Sequence, residues 1–184
     1  MEVRAARPED APALGRVMVG AWLSAHHGQM PEAAWQKRVE EWTPEVSAQG
    51  WARMLSSMAA GDQLRTVLLV AEEEPSDPVG LVLATEDEGD VSGATAQVNA
   101  LYVLPTDQGR GTGRLLLRTA AAELRRRGFS RLHVGVLTAN LPARGFYEAM
   151  GGHEVAQRTF DEEGVALPET VYGWSDLTLL APEA

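Results

Sequence analysis

The sequence predicts one α/β domain, residues 1–184, in which helices flank a mixed β-sheet. Two observations carry this prediction. Short apolar runs typical of strands alternate with longer segments of helical periodicity, and a chain of 184 residues suits one hydrophobic core better than two. Helical patterns come first, and strands and helices then alternate, which is typical of helices packed on a mixed sheet.

Two helical regions open the chain. Pro8 to His27 begins with a Pro-Glu-Asp start signal and places apolar residues at helical spacing. Pro31 to Met58 shows a similar pattern, with a predicted break near Pro44 and Gly50. Its tryptophans are best explained as packing residues.

Six short apolar segments are predicted to be strands. They are Val67–Ala71, Val79–Ala84, Val98–Leu104, Leu132–Leu137, Val155–Phe160 and Thr170–Leu177. Turn residues at Glu74–Pro78 and Asp161–Gly164 make the first pair and the last pair hairpins. Pro105 ends the third strand, because proline cannot donate to a sheet ladder.

Two more helices lie between these strands. Gly113 to Arg127 has an apolar face of leucine and alanine, with arginines at the negative end of its dipole. Gly128 follows it in the position that favours a left-handed residue. Pro142 to Met150 is a shorter predicted helix.

Composition and charge exclude several classes of protein. The formal net charge of −10 argues against nucleic-acid binding, which needs Lys and Arg at phosphates. It suits either plain solubility or attraction of a cationic molecule. The chain has no cysteine, so disulfides and thiolate zinc sites are excluded, and we expect no metal. Neither a membrane span nor an apolar signal region is visible, so we expect a cytoplasmic protein.

A glycine-rich turn, Gln108-Gly109-Arg110-Gly111-Thr112-Gly113, lies between a predicted strand and a predicted helix. Its glycines permit positive φ and remove Cβ atoms, so amides can converge at the positive end of the helix dipole. Arg110 and Arg114 add positive charge. The turn therefore predicts a phosphate site.

Two other kinds of phosphate-binding loop do not fit this turn. A P-loop is excluded because no Gly-Lys-Ser/Thr follows. A dinucleotide fingerprint is excluded because Arg114 stands where its third glycine belongs, and Leu132 and His133 stand where an acid is needed. A glycine-rich turn without a ligand remains the alternative.

Two motifs resemble the GNAT superfamily of N-acetyltransferases. Leu101–Pro105 followed by Gln108–Gly113 is similar to its acetyl-CoA signature, in which a strand and a proline precede Gln/Arg-x-x-Gly-x-Gly/Ala. Asn140–Gly151, with a Phe-Tyr pair in a short helix, is similar to its second signature. The match is close over Val98–Gly152. It implies a mixed, mostly antiparallel sheet of six to seven strands, and acetyl-CoA as cosubstrate.

The resemblance also implies a role for each matched position. The turn from Gln108 to Gly113, with Arg114, would bind the diphosphate of coenzyme A. The backbone of Leu101, Tyr102 and Val103 would pair with the pantetheine arm as another strand would. An N–H of Val103 or its neighbour would polarise the thioester carbonyl. Asn140 would hydrogen-bond the same arm, unless it only ends its strand.

Tyr147 is the predicted catalytic residue. A phenol is protonated at neutral pH, so it can give a proton to the departing coenzyme A thiolate. We expect Phe146 to fill the core and Tyr147 to point elsewhere on the helix. The alternative is that Tyr147 is itself a packing residue.

The sequence assigns no general base. Family members carry a glutamate in the strand before the glycine turn, where this chain has Gln97, or in the strand before Asn140, where it has Gly135. Acidic residues near the end of a central strand are candidates by location only: Glu86, Asp87 and Glu88. Histidines titrate near neutrality, but nothing in the sequence aims them at the site: His26, His27, His133 and His153.

The predicted reaction is direct attack by the amine of a small cationic acceptor. A non-catalytic acyl-CoA-binding module and a protein N-terminal or lysine acetyltransferase stay open as alternatives. We expect the acceptor pocket between the first helices, the acidic turn after Ala84 and the final hairpin, with Trp22, Trp51 and Trp174 as candidate lining residues. A homodimer is a further expectation.

Overall fold

A computed structural model describes residues 1–61, 65–74, 77–162 and 164–181. Within these ranges, seven strands form one sheet in the order β1-β2-β3-β4-β5-β7-β6. The strands are β1 Glu2–Ala5, β2 Val67–Glu72, β3 Pro78–Glu86, β4 Thr95–Val103, β5 Arg131–Leu137, β6 His153–Glu162 and β7 Val165–Trp174. The α-helices are α1 Ala11–His26, α2 Glu32–Glu41, α3 Pro44–Ala59, α4 Thr112–Arg126 and α5 Leu141–Ala149.

The predicted α/β class with a mixed, mostly antiparallel sheet is confirmed. Among the strands of the described residues, only β4 and β5 pair in parallel, and every other neighbouring pair is antiparallel. The first and last predicted hairpins are β2–β3 and β6–β7. Pro75, Ser76 and Glu163, which belong to their predicted turns, lie outside the described residues.

Two hydrophobic clusters cover the two faces of the sheet. On one face α4 packs through Leu116, Leu117 and Leu124, which are fully buried against the strands. On the other face α1 and α3 pack through Leu14 and Trp51, among others. No helix in the described ranges is long and apolar enough to cross a bilayer.

The structure corrects several predicted boundaries, among them the end of the last strand, which is Trp174 and not Leu177. β1 was not expected, since a four-residue strand with two charged residues has little apolar signal. Gly50 does not break α3 but lies inside it, because one glycine costs a helix only about 0.5–1 kcal/mol. β4 begins at Thr95 and β7 at Val165, both earlier than predicted.

Candidate functional site

β4 and β5 separate part-way along their length. In the described structure they pair only over Thr95–Val98 of β4, where the last partner on β5 is Val134. On its other side β4 remains paired with β3 as far as Val103. Asn99 is an extra residue in the β3–β4 register at the point of separation, and such a bulge bends and twists its strand. The result is a wedge, the β4–β5 gap, whose closed end is at Val134.

The free edge of β4 presents backbone groups to this gap. Leu104 donates its N–H to the Val79 carbonyl of β3 at 2.9 Å. Because residues of an antiparallel pair alternate in the direction of their hydrogen bonds, Tyr102 also turns its N–H and carbonyl toward β3. Leu101 and Val103 therefore turn theirs into the gap. Of the three predicted backbone positions, Leu101 offers both its groups to a ligand and Val103 offers its N–H, since the Val103 carbonyl accepts from the Gln108 side chain.

The glycine turn follows at the open end of the gap. Seven consecutive N–H groups, from Gln108 to Arg114, donate no hydrogen bond within the described part of the chain. Gly109 and Gly111 have φ of 75° and 87°, and a Cβ added to either would meet nothing within 4 Å. The side chain of Gln108 donates to the Val103 carbonyl at 2.9 Å and ties the turn to β4. The free amides surround open space at the positive end of α4, as a phosphate site requires.

Two further residues of the turn face inward. Thr112 is buried, and its hydroxyl donates to the Asp107 carbonyl at 3.4 Å. A Cβ at Gly113 would lie 3.6 Å from the Phe146 ring. These contacts anchor the turn on the protein side and leave its other side open.

The arginines of the turn differ in their surroundings. Arg110 Nη1 lies 3.2 Å from Glu73 Oε1 and 3.5 Å from Asp107 Oδ1, so two carboxylates offset its charge. Arg114 is exposed and has no ion pair with any described residue. The uncompensated cation next to the free amides is therefore Arg114.

Asn140 caps α5. Its Oδ1 accepts the Ala143 N–H at 3.2 Å, and the side chain is buried. Its Nδ2 has no hydrogen-bond partner among the residues described. Capping uses the acceptor and leaves the amide donor for a ligand, so the two roles predicted for Asn140 are compatible.

The prediction that Phe146 rather than Tyr147 packs in the core is wrong. Tyr147 is 6% exposed and lies among the buried residues beneath α4 and α5, next to Tyr172 and Trp174, while Phe146 is partly buried at the edge of that cluster. Helical geometry turns adjacent residues about 100° apart, and here the tyrosine faces the sheet.

The Tyr147 hydroxyl donates no hydrogen bond to any described residue, although a phenol this buried usually finds a partner. Burial raises the pKa of Tyr147 above its ordinary value, and the nearby Tyr102 phenol adds to the effect. Burial also raises the pKa of Tyr102 to about 12. Tyr147 is therefore a neutral proton donor throughout the physiological range.

Two carboxylates stand near the predicted base positions. Asp87 Oδ2 lies 3.2 Å from His133 Nδ1, and His133 is the β5 partner of Gln97. At Gly135, a Cβ would lie within 2.6 Å of both carboxylate oxygens of Glu169. The space of the missing β5 side chain is thus filled by a glutamate from the adjacent strand β7.

Glu169 was not predicted as a functional residue. It lies one residue before the predicted start of the last strand at Thr170, and so outside the predicted element. The sequence signal for the longer strand is weak, because the apolar residues Val165, Ala166 and Leu167 do not alternate with polar ones and are followed by Pro168.

The three candidate tryptophans occupy different places. Trp174 lies in the core beneath α4, with its Nε1 donating to the Met150 carbonyl at 3.0 Å, on the opposite face of the sheet from α1 and α3. Trp51 lines a groove between α1 and α3. Trp22 stacks on His26 with 4.4 Å between ring centroids. Only Trp22 and Trp51 remain on the face where the acceptor pocket is expected.

Residues 29–152 match the family model of the acetyltransferase (GNAT) family. A protein of Bacillus subtilis described as the uncharacterized N-acetyltransferase YuaI is 29% identical over 182 residues, which are 97% of this chain and 95% of that protein.

Solved structures resemble the whole chain. YncA from Salmonella typhimurium, determined with its cofactor acetyl-CoA, superposes with a TM-score of 0.71 at 22% identity, covering 96% of this chain and 94% of that one. The PaiA N-acetyltransferase of Thermoplasma acidophilum, in complex with coenzyme A, gives a TM-score of 0.66 at 18% identity, covering 92% and 96%.

Proposed function

Since this chain belongs to the GNAT family of acetyltransferases, we propose that it transfers the acetyl group of acetyl-CoA to the primary amine of a small cationic acceptor. Acetyl-CoA is the cosubstrate of this acetyltransferase. The observation that carries the proposal is the continuity of the β4–β5 gap with seven free amides at one end and an unpartnered phenol beside it.

The residues present fit this cosubstrate. The amides from Gln108 to Arg114, with the Arg114 guanidinium, suit a diphosphate. Leu101 and Val103 turn their backbone groups into the gap, where they would pair with the amides of a pantetheine arm as an additional strand does. Asn140 Nδ2 would donate to the same arm.

Each residue then has a defined chemical task. Bound acetyl-CoA supplies a thioester carbonyl that a primary amine attacks directly. A backbone N–H of Val103 or its neighbour would polarise that carbonyl. Tyr147 would give its proton to the departing thiolate, since its phenol is protonated at neutral pH.

A cationic acceptor is favoured by the charges near the gap. The net charge of −10 and the carboxylates of Asp87 and Glu169, which belong to this region of the sheet, attract an ammonium group. A polyamine, an amino sugar or an amino-acid derivative has the required chemistry.

Tyr147→Phe tests the acid. Thiol release from acetyl-CoA, measured over a panel of such amines and a peptide with a free N-terminus, should fall about 100-fold in kcat. Acetyl-CoA affinity should stay within about twofold, because the hydroxyl makes no internal hydrogen bond with a described residue that the change would remove. If the wild-type protein binds acetyl-CoA and acetylates only the peptide, the small-amine proposal is wrong and the protein is a peptide acetyltransferase. If it binds acetyl-CoA and acetylates nothing, it is a binding module.

Tyr172→Phe is the matched control. The Tyr172 hydroxyl donates to Glu148 Oε1 at 2.6 Å and accepts from Arg144 Nε at 3.1 Å. Its loss should cost about 1 kcal/mol of folding free energy while kcat is retained. Equal rate losses in the two variants would remove the special role of Tyr147.

A further inference from the structure

The closed end of the β4–β5 gap lies beside Gly135. A ligand held by the glycine turn and paired with β4 runs back from Val103 toward Asn99, over four residues of strand or about 13 Å. Its far end then reaches the point where pairing with β5 stops at Val134. Gly135 is the first β5 residue beyond that point, so its surroundings are the surroundings of the reacting carbonyl.

Gly135 lacks the side chain that this position would present, and Glu169 occupies the resulting space. On β5, Leu132, Val134 and Val136 belong to the core beneath α4, so the alternate residue Gly135 faces the opposite side of the sheet. Glu169 of β7 pairs with Leu137, diagonally next to Gly135 on that same side. Both carboxylate oxygens come within 2.6 Å of where a Cβ of Gly135 would be.

A neighbouring arginine orients this carboxylate. Arg158 of β6 donates through Nε to Glu169 Oε2, and Glu169 is 7% exposed. Alanine or any larger residue at position 135 would displace the Glu169 carboxylate. The glycine and the glutamate therefore form one arrangement, in which β7 supplies the acid that β5 lacks.

We propose that Glu169 is the general base of the acetyl transfer, an assignment that rests on the proposed function. Its carboxylate takes one proton from the ammonium of the acceptor. The freed nitrogen lone pair forms the N–C bond at the thioester carbonyl carbon, the C–S bond breaks with its electron pair going to sulfur, and sulfur takes the proton of Tyr147. The new amide nitrogen loses its second proton to water, Tyr147 regains one from water, and Glu169 releases its proton to solvent.

The two faces of the sheet separate these proton transfers. Tyr147 belongs to the cluster beneath α4 and α5, whereas Glu169 lies on the other face. The amine is deprotonated on one side of the gap and the thiolate is protonated on the other. His133, with Asp87, lies beside Gln97, where β4 and β5 are still hydrogen bonded, and is therefore farther from the open gap than Glu169.

Glu169→Gln tests the proposal with the best amine of the panel. The change keeps the volume over Gly135 and removes the ability to accept a proton, so kcat should fall about 100-fold at pH 7 with acetyl-CoA affinity unchanged. The difference in kcat between the variant and the wild type should become smaller as pH approaches the pKa of the acceptor amine, because more of the amine is then already deprotonated in solution. Glu154→Gln, which changes an exposed carboxylate on β6, should behave as wild type.

A relocated carboxylate distinguishes chemistry from structure. The double change Gly135→Glu with Glu169→Gly moves the glutamate to the adjacent strand and removes the clash at position 135. It should recover at least about tenfold of the lost rate. A structural role for Glu169 predicts no such recovery and no change in the pH profile.

The outcomes separate the two proposals. If the wild type turns over an amine and the kcat of Glu169→Gln is within twofold of the wild-type kcat, the base assignment alone is wrong. The same holds if the variant changes only the KM of the amine. Loss of acetyl-CoA binding in Glu169→Gln would overturn it in favour of a structural role. No turnover of any amine by the wild type would overturn the proposed function and this assignment together.

Discussion

Gly111 is the residue on which the proposed cosubstrate site depends most directly. It begins α4 from a left-handed conformation with φ of 87° and ψ of 0°, which aims the following amides outward. A residue with a Cβ pays about 1–2 kcal/mol for that conformation. Glycine meets both requirements of the position, since it adopts the conformation freely and leaves the ligand space open.

Gly111→Val should reduce acetyl-CoA affinity at least about tenfold, or ~1.4 kcal/mol, because the side chain strains the turn and enters the phosphate space. Isothermal titration with acetyl-CoA measures the effect. Gly128→Val is the matched control, since Gly128 follows the other end of α4 at φ of 90°, also in open space. It should lose similar stability with full affinity, and equal affinity losses in both variants would contradict the assignment of the turn.

At the scale of elements, the contact between α1 and α3 fixes the position of two helices on the face of the sheet where we propose the acceptor binds. Gly15 of α1 meets α3 so closely that a Cβ would lie 2.9 Å from the Ala48 backbone nitrogen and would also clash with the Pro44 carbonyl. Backbone atoms cannot rotate away as a side-chain end can. The helices touch there because the residue is glycine.

Gly15→Ala should destabilise the protein by about 1–3 kcal/mol, despite the better helix propensity of alanine, because the helices must move apart. Gly50→Ala in α3 places its Cβ in open space and should stabilise by about 0.5–1 kcal/mol. Urea denaturation of both variants measures the difference. A stabilised Gly15→Ala would show that α1 and α3 are not in close contact.

At the scale of the whole molecule, acidification should weaken the fold in two stages. Burial lowers the pKa of His26, against its hydrogen bond to the Trp22 carbonyl. Because the pKa of His26 is lowered in the folded state, its contribution to stability is complete above the unfolded pKa near 6.5. That contribution is lost as pH falls through the folded pKa. For Asp10, burial raises the pKa, but hydrogen bonds from Arg4 and the Arg7 amide outweigh it and lower the pKa overall. That contribution is complete above the unfolded value near 4 and is lost below it.

The free energy of unfolding should therefore decline as pH falls below about 6.5, and again as it falls below about 4. Urea titrations at half-unit intervals measure both stages. In His26→Gln the first stage should disappear while the second remains. A first stage that persists in this variant would assign it to other groups.

The order of helices and strands, and the glycine turn, were predictable because they depend on local patterns. Periodicity located α4 and four of the strands, β2, β3, β5 and β6, close to their observed bounds, and three glycines in five residues predicted free amides at a helix start. β1 was missed because it owes its existence to pairing with β2, and not to its own apolar content. The predicted roles of Tyr147 and Phe146 were interchanged, because the sequence does not show which of two adjacent aromatic residues on a helix faces the core.

The linear chain by itself determined that a glycine-rich turn joins a strand to a helix and leaves its amides free, since the residues that form it are contiguous. Tertiary structure alone decided where the strands part, which backbone groups remain free, and which carboxylate fills the space at Gly135. Glu169 and Gly135 are 34 positions apart in the numbering and become neighbours only through the pairing of β5 with β7. A sheet joins residues by hydrogen-bond register, and register is a property of the assembled strands.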